Sequence, residues 1–198
     1  MKKLYRIIGV ILLATALAGC QQDNAATQEF AATDITGGPW GGNFQLVDHN
    51  GQLRTIADFE GKAVVVFFGY TNCPDVCPTT MAKLASVMEQ LGSDAERVQV
   101  LMVTLDPKRD TPEILKKYAP AFHPSFLGLR GNEQQTESTA KEFKTLRTLQ
   151  SPDENGSYTV DHSGGIYAYD PHGRLRLYIN DQHSVETIAK DIRALLKT

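Results

Sequence analysis

Cysteine is scarce in this chain of 198 residues, which contains three of them: Cys20, Cys73 and Cys77. We expect Cys20 to be used in membrane attachment, so the remaining sulfur chemistry is confined to residues 73–77. The two cysteines there follow an apolar run and stand where a short loop passes into a helix. Such a pair is a redox disulfide, half of a metal site, or both.

Positive charge is also scarce, since 20 Lys and Arg residues face 23 Asp and Glu residues and give a formal net charge of −3. Residues 1–19 hold three of the cations and no acid, so the rest of the chain carries −6. An acidic protein of this kind is a poor partner for nucleic acid, whose phosphates need lysine and arginine. The apolar fraction of 41% is ordinary for a globular protein and excludes a disordered chain.

A long apolar run is missing as well. The uncharged stretch of residues 7–19 is thirteen residues long, whereas a helix needs about 20 residues to cross the ~30 Å core of a bilayer. This stretch follows a basic start and ends in Leu17-Ala18-Gly19-Cys20, which resembles the lipobox of bacterial lipoproteins. We therefore expect residues 1–19 to be a signal peptide and Cys20 to carry lipid, with an ordinary cleaved signal as the alternative. The protein is then lipid-anchored to a bacterial membrane and faces the periplasm or the cell exterior, where disulfides form.

The polar residues 20–37 show no apolar period and are predicted to form a flexible tether. One domain without internal repeats follows over residues 38–198, and it opens with a hairpin around Asn50-Gly51 because Asn-Gly is a strong turn signal. Apolar periods predict strands at residues 63–68, 98–105, 126–129, 166–169 and 175–179. They predict helices at residues 78–91, 112–118, 132–144 and 185–195, with Pro120 interrupting the second. The polar residues 147–160 are predicted to be a surface loop.

The order of these elements predicts the fold class. Alternating strands and helices give a parallel sheet core, and the hairpin near the carboxyl terminus makes the sheet mixed. We predict an α/β protein with a thioredoxin-like fold, in which helices flank a central mixed β-sheet and an N-terminal β-hairpin forms an extension. The cysteine motif then lies on the loop after the first central strand, as is typical of that fold. Since a helix amino terminus favours negative charge, the thiolate of Cys77 is expected to be stabilised there.

The spacing Cys-x-x-x-Cys gives the two sulfur atoms room to ligate one metal ion, and a third ligand is needed for Cu(II). His49 and His172 lie in turns and are expected at the surface, whereas His123 and His183 stand at helix ends. His162 differs because it precedes a buried strand, in a loop that faces the cysteine motif in a thioredoxin-like fold. Disulfide exchangers have a cis-proline at that place, and residues 160–165 contain no proline. We therefore interpret His162 as a metal ligand.

Three separated segments together resemble a known family. They are Cys-Pro-Asp-Val-Cys-Pro at residues 73–78, Asp-Pro-Lys-Arg-Asp-Thr-Pro at residues 106–112, and Asp-His-Ser at residues 161–163 with Tyr167 and Asp170-Pro171. From about residue 38 onwards the chain resembles the Sco (SenC/PrrC) family of membrane-tethered copper proteins. The resemblance implies that Cys73, Cys77 and His162 bind copper, as Cu(I) or Cu(II). It also implies a role in maturing the binuclear copper site of cytochrome c oxidase, by delivering copper or by reducing the cysteines of the target.

The partner is expected to be the copper-site subunit of the oxidase or another extracytoplasmic copper or thiol protein, reached from a membrane through the lipid anchor. Two departures from the family concern this target rather than the site. Residues 143–149 lack the tyrosine pair expected there, and lipid replaces the transmembrane helix of many members.

A metal-bound imidazole is normally oriented by a further hydrogen-bond partner. The candidates are Asp161, next to the histidine, and Asp106, at the end of the second central strand. Arg109 and Asp110 are expected to form a local ion pair or a helix cap. The alternative function is an extracytoplasmic thiol-disulfide oxidoreductase with a role in redox or oxidative-stress protection, in which Cys73 and Cys77 form the redox-active pair.

Overall fold

We describe a computed structural model of the chain, which covers residues 30–39 and 41–198. Its main sheet has eight strands in the order β1-β10-β9-β4-β5-β6-β2-β3. The strands are β1 Thr33–Asp34, β2 Leu46–Asp48, β3 Leu53–Arg54, β4 Ala63–Gly69, β5 Val98–Thr104, β6 Leu127–Arg130, β9 Ile166–Tyr169 and β10 Leu175–Ile179. A separate two-stranded ribbon consists of β7 Arg147–Leu149 and β8 Val160–His162.

In the described part of the chain, four α-helices pack around the sheet: α1 Val76–Leu91, α2 Pro112–Phe122, α3 Glu133–Glu142 and α4 Val185–Leu195. Helix α1 packs against α4, and α2 packs on β6. Short 3-10 helices cover Ile56–Phe59 and Gly92–Arg97. A capping box opens α3, since the side chain of Asn132 accepts from the amide of Gln135 at 2.8 Å.

The centre of the sheet is formed by β4 and β5, and every residue of both strands is buried. Their β-branched and aromatic side chains suit strands that are covered on both faces. The two strands run parallel, while β9 lies antiparallel on the other side of β4 and turns into β10. The predicted thioredoxin-like α/β fold with a mixed central sheet and an N-terminal hairpin is confirmed.

The domain begins before its predicted start at residue 38. The amides of Ala31 and Ala32 donate to the buried carboxylate of Asp191, and β1 pairs with β10. This part of the predicted tether lacks an apolar period, but it is bound to the domain through its backbone. The predicted signal peptide, the lipidated Cys20 and the first part of the tether lie outside the described residues.

Two further predictions are wrong. Helix α2 continues through Pro120 to Phe122, because the buried Ala119 and the contact between the rings of Tyr118 and Phe122 hold its last turn despite the lost amide donor. Residues 147–160 are not a plain loop, since β7 and β8 pair in antiparallel register with Arg147 opposite His162. In the part of the chain that is described, no helix has the length and apolarity needed to cross a bilayer.

Candidate metal centre

The cysteine loop connects the end of β4 to the start of α1. Asp75 is the N-cap of α1, so Cys77 lies within the first turn and the helix begins two residues before the predicted Pro78. Gly69 at the end of β4 allows this close packing, because a Cβ atom there would lie 3.0 Å from the Sγ atom of Cys77. The thiol of Cys77 therefore packs directly against the end of β4, inside the core.

The two cysteines have different surroundings, and both are free thiols. Cys77 is completely buried, whereas Cys73 is partly exposed at the mouth of the loop. The amide of Cys77 donates to the Sγ atom of Cys73 over 3.4 Å. The free amide groups at the start of α1 therefore point at Cys73, which occupies the place of a capping acceptor.

The prediction that the helix amino terminus stabilises the Cys77 thiolate is wrong. Burial raises the pKa of the Cys77 thiol strongly, and its hydrogen bond to Cys73 adds to that shift. Burial also acts to raise the pKa of Cys73, but hydrogen bonds from the Cys77 side chain and from the amides of Cys77, Asp75 and Val76 outweigh it and lower the pKa. The helix end thus favours a thiolate at Cys73, because the side chain of Cys77 turns away from the amides into the core.

His162 reaches the cysteines from the end of β8. Its Nε2 atom lies 3.7 Å from the Sγ atom of Cys77, and its Nδ1 atom lies 3.1 Å from the carbonyl oxygen of Ser163. Since a carbonyl oxygen can only accept, the Nδ1–H group donates to it, and the lone pair of Nε2 faces the thiol of Cys77. The imidazole also packs edge-on against the ring of Tyr70, with 6.3 Å between centroids. The tautomer and the direction of the ring are thus those of a metal ligand.

These three residues fit a thiolate and imidazole metal site in the chemistry of their donor atoms. Bond lengths of about 2.3 Å to sulfur and 2.0 Å to nitrogen, as for zinc, place two donors about 3.7 Å apart at a trigonal angle. Cys77 and His162 have this separation. Among the described residues, however, no group of three or more His, Cys, Asp or Glu side chains is arranged as a ready metal cluster. The three predicted ligands therefore lie close together, but their donor atoms are not already arranged around a single metal position.

A cleft of about 370 Å³ opens over the site. Its lining includes Tyr70, Cys73, Val76, Val160, Asp161 and His162. Cys77 lies beneath this cleft rather than on its wall, since it is completely buried. The part of the cysteine motif that an incoming molecule can touch is thus residues 73–76, in which Cys73 is partly exposed and the other three residues are exposed.

Neither carboxylate predicted to orient His162 contacts it in the described structure. Asp161 points away from His162, because neighbouring residues of a strand point to opposite faces. Its exposed carboxylate accepts from the side-chain amide of Gln150 at 2.5 Å. Asp106 is buried, pairs with Arg109 and accepts from the hydroxyl of Tyr158 at 2.9 Å. The backbone carbonyl of Ser163 holds the imidazole instead, and a backbone group has no side-chain signature in the sequence.

Sequence reasoning also missed the role of Asp110, which pairs with neither Arg109 nor a helix end. Its buried carboxylate accepts from the amide of Thr71 at 3.1 Å and from the hydroxyls of Thr71 and Thr104 at 2.6 and 2.5 Å. It thereby joins the cysteine loop to the end of β5. Burial raises the pKa of this carboxyl group, against the hydrogen bonds from the two threonines. The available sequence signal for this role was the position of Asp110 four residues after Asp106. At this spacing the amide of Asp110 donates to the carbonyl of Asp106, which closes a turn after β5.

The other histidines lie away from this cleft. His172 is exposed in its turn, as predicted. His49 is buried rather than at the surface, because its Nδ1 atom accepts from the amide of Gly128 at 3.1 Å and so joins the hairpin to β6. Burial lowers the pKa of His49, which keeps it neutral as this acceptor requires.

Comparisons with known proteins agree with the motif and the fold. A family model described as SCO1/SenC matches residues 32–197. The protein SCO2 homolog, mitochondrial, of Danio rerio is 40% identical over 159 residues, which cover 79% of this chain and 57% of that protein. An SCO2-like protein of Rickettsia prowazekii is 36% identical over 158 residues, which cover 79% of this chain and 75% of that protein. The chain thus spans little more than half the length of the zebrafish relative.

Solved structures give the same result for the fold. The copper-bound structure of Bradyrhizobium japonicum ScoI superposes with a TM-score of 0.72 at 36% sequence identity. The alignment covers 78% of this chain and 98% of that protein.

Proposed function

This chain belongs to the SCO1/SenC family, and from that premise we propose that it binds copper through Cys73, Cys77 and His162 and assists assembly of the binuclear copper centre of cytochrome c oxidase. The observation that carries the proposal is the 3.7 Å separation between the Nε2 atom of His162 and the Sγ atom of Cys77. Because the Nδ1–H group of His162 donates to the Ser163 carbonyl, the lone pair of Nε2 is free to bind a metal ion. Copper in the structure of the Bradyrhizobium relative supports the choice of metal.

The donor set explains how the protein would hold its cargo. Two thiolates and one imidazole suit Cu(I), and they accept Cu(II) when a weak oxygen ligand or water completes the coordination. Structural zinc sites prefer four protein ligands, which this cleft does not offer among the described residues. Cys73 and His162 on the wall of the cleft would meet the incoming ion first, and the buried Cys77 would then complete the site.

The setting of this reaction is the second part of the proposal. Lipid on Cys20 would hold the domain at a bacterial membrane, facing the periplasm or the cell exterior. The partner would be the copper-site subunit of the oxidase or another extracytoplasmic copper or thiol protein. Copper delivery and reduction of the partner's cysteines both use the same cleft, because each requires Cys73 to reach the partner.

Copper titration of the reduced protein tests the ligand set. We expect one copper ion per chain, and His162→Ala should lower Cu(II) affinity by at least tenfold and remove the thiolate-to-copper absorption. The matched control is His172→Ala, which deletes an exposed imidazole in a turn and should bind as the wild type does. Copper binding by His162→Ala with unchanged affinity and spectrum would overturn the three-ligand site.

A second candidate function, thiol-disulfide exchange, is favoured by the asymmetry of the two cysteines. Cys73 is accessible and its pKa is lowered, while Cys77 lies buried beside it as a thiol. The thiolate of Cys73 would attack a target disulfide, form a mixed disulfide and release one target sulfur. Cys77 would then attack Cys73, pass its proton to the second target sulfur and leave a Cys73–Cys77 disulfide. The two electrons that reduce the target come from this dithiol.

A peptide disulfide distinguishes the two functions. If exchange is the main activity, Cys73→Ser should abolish reduction of the peptide and His162→Ala should leave its rate unchanged. If copper binding is the main activity, reduced wild-type protein should bind copper tightly while reducing the peptide slowly. Tight copper binding that depends on His162 therefore favours assembly, and exchange without copper binding favours the reductase.

A further inference from the structure

The ribbon of β7 and β8 carries His162 but is not hydrogen-bonded into the main sheet. Its two strands pair only with each other, over the three positions that end with Arg147 opposite His162. The position of His162 relative to Cys77 therefore depends on contacts that attach this ribbon to the rest of the domain. One such contact comes from Arg147, whose Nε atom donates to the carbonyl of Leu105 at 2.6 Å.

A second attachment is made by Arg109, which follows β5 and lies against Tyr158 of the ribbon's connecting segment. The guanidinium carbon of Arg109 lies 3.6 Å from the centroid of the Tyr158 ring, and its Nη1 atom donates to the Tyr158 carbonyl at 2.8 Å. Its Nε atom pairs with the buried carboxylate of Asp106. Because the Tyr158 hydroxyl donates to the same carboxylate at 2.9 Å, the three side chains form a closed cycle.

Arg109 also faces the cysteine loop. Its guanidinium carbon lies 5.7 Å from the centroid of the Tyr70 ring, within the range of a cation–π contact. Tyr70 in turn packs edge-on against the imidazole of His162 and lines the same cleft as Val160 on β8. The arginine thus lies between an aromatic ring from the segment that carries the histidine and one from the loop that carries the cysteines.

We propose that Arg109, fixed by Asp106 and Tyr158, is a positioning residue that sets the distance between the His162 imidazole and the Cys77 thiol. Lysine cannot replace it, because an ammonium group cannot stack flat on Tyr158 while bonding to both the Asp106 carboxylate and the Tyr158 carbonyl. Asp106 therefore acts on His162 through Arg109 and Tyr158 rather than by direct contact. The inference rests on the proposed function only in that copper is the ligand used to measure this geometry.

Arg109→Lys and Tyr158→Phe test the cycle, the second by removing only the hydroxyl bond to Asp106. The matched control is Arg54→Lys on the edge strand β3. Arg54 also pairs with a buried carboxylate, that of Asp48, and its side chain is 23% exposed against 21% for Arg109. Its guanidinium likewise lies near an aromatic ring, that of Phe59 at 5.8 Å. A loss common to both lysine variants would therefore report on the fold rather than on the site.

We expect Arg109→Lys to lower copper affinity by about tenfold or more and to shift the thiolate-to-copper absorption, as loss of outer partners of metal ligands does. Tyr158→Phe should show a smaller loss, and Arg54→Lys should match the wild type. In the His162→Ala background, Arg109→Lys should cause no further loss, because its effect passes through the histidine. Wild-type affinity in Arg109→Lys, or an equal loss with and without His162, would overturn the proposal.

Hydrogen exchange of the metal-free protein separates this inference from the proposed function. Arg109→Lys should speed exchange of the amides of residues 147–150 and 160–162, and Arg54→Lys should leave them at wild-type rates. If wild-type protein binds no copper, the proposed function fails while this measurement still judges the attachment of the ribbon. Unchanged exchange in Arg109→Lys would show that other contacts, such as those of Arg147, hold the ribbon and would refute the role of Arg109.

Discussion

The Nε2 atom of His162 lies 3.7 Å from the Sγ atom of Cys77, although 85 residues separate them in the chain. The imidazole thus meets the buried cysteine of the pair, while Cys73 and the imidazole itself are partly exposed on the wall of the cleft. This arrangement divides the two cysteines by task. Cys77 is the inner sulfur of the site, and Cys73 is the sulfur that a partner, a metal ion or an oxidant reaches first.

Reaction with iodoacetamide should reveal this difference in the reduced, metal-free protein. The lowered pKa of Cys73 means that its thiolate is already formed at a pH where an ordinary thiol is protonated. Its alkylation rate should rise with pH up to that lowered pKa and then level off. Cys77 should stay unmodified through pH 9, because it is buried and its pKa is raised.

Mass spectrometry of the modified peptides measures both rates in one sample. Unfolding in guanidinium chloride is the control, since it should bring the two cysteines to the same reactivity. Faster alkylation of Cys77 than of Cys73 in the folded protein would contradict the assignment of the outer and inner sulfur.

Copper occupancy and the redox state of the cysteines should be coupled, because both use the same sulfur atoms. Closing the Cys73–Cys77 disulfide removes both thiolates, so oxidised protein should bind copper at least a hundredfold more weakly than reduced protein. Conversely, protein loaded with one equivalent of Cu(I) should resist disulfide formation by diamide. His162→Ala should lose part of this protection, whereas His172→Ala should retain it. Equal oxidation rates with and without copper would refute the coupling.

The central fold was predictable because its signal is local. The apolar run of β4 and the apolar period of α1 place the cysteine motif between a strand and a helix, and the fold then points to His162. The direction of side chains at the junction of loop and helix was not predictable, and it decides that Cys73 rather than Cys77 receives the helix amides. Nor was the attachment of β1 to β10, because it depends on backbone pairing between residues more than 140 positions apart.

Asp110 should stabilise the cysteine loop through the hydrogen bonds that its buried carboxylate accepts from Thr71 and Thr104. Asp110→Ala leaves one buried donor of Thr104 and two partly buried donors of Thr71 without their acceptor, and we expect a loss of about 2–3 kcal/mol in the free energy of unfolding. Urea denaturation followed by circular dichroism measures this loss. We also expect faster alkylation of Cys77, because the loop that covers it is released.

Asp58→Ala is the matched control for this substitution. Asp58 accepts from the amide and hydroxyl of Thr55, as Asp110 does from Thr71, but it is exposed to water. Water can replace its hydrogen bonds, so the loss of stability should be much smaller. Similar losses in the two variants would show that burial of Asp110 adds nothing to its role.

The adjacent glycines Gly164 and Gly165, which follow Ser163, should differ in their response to substitution by alanine. Gly165 has a φ of +154°, and a Cβ atom there would lie 2.3 Å from the ring of Tyr178. That ring is held in place because the Tyr178 hydroxyl donates to the carbonyl of Gly164 at 2.6 Å. Gly165→Ala must therefore displace either Tyr178 or the segment that follows His162, and we expect a loss of about 1–3 kcal/mol in stability.

Gly164→Ala adds the same methyl group one position earlier, where a Cβ atom would have no neighbour within 4 Å. It should keep wild-type stability and copper affinity. Gly165→Ala should weaken copper binding as well as stability, because the shifted segment includes Ser163, whose carbonyl holds the Nδ1 atom of His162. Isothermal copper titration and urea denaturation of the two variants separate these effects. If Gly165→Ala loses stability but binds copper as the wild type does, the Ser163 carbonyl is not what holds the imidazole in its ligating direction.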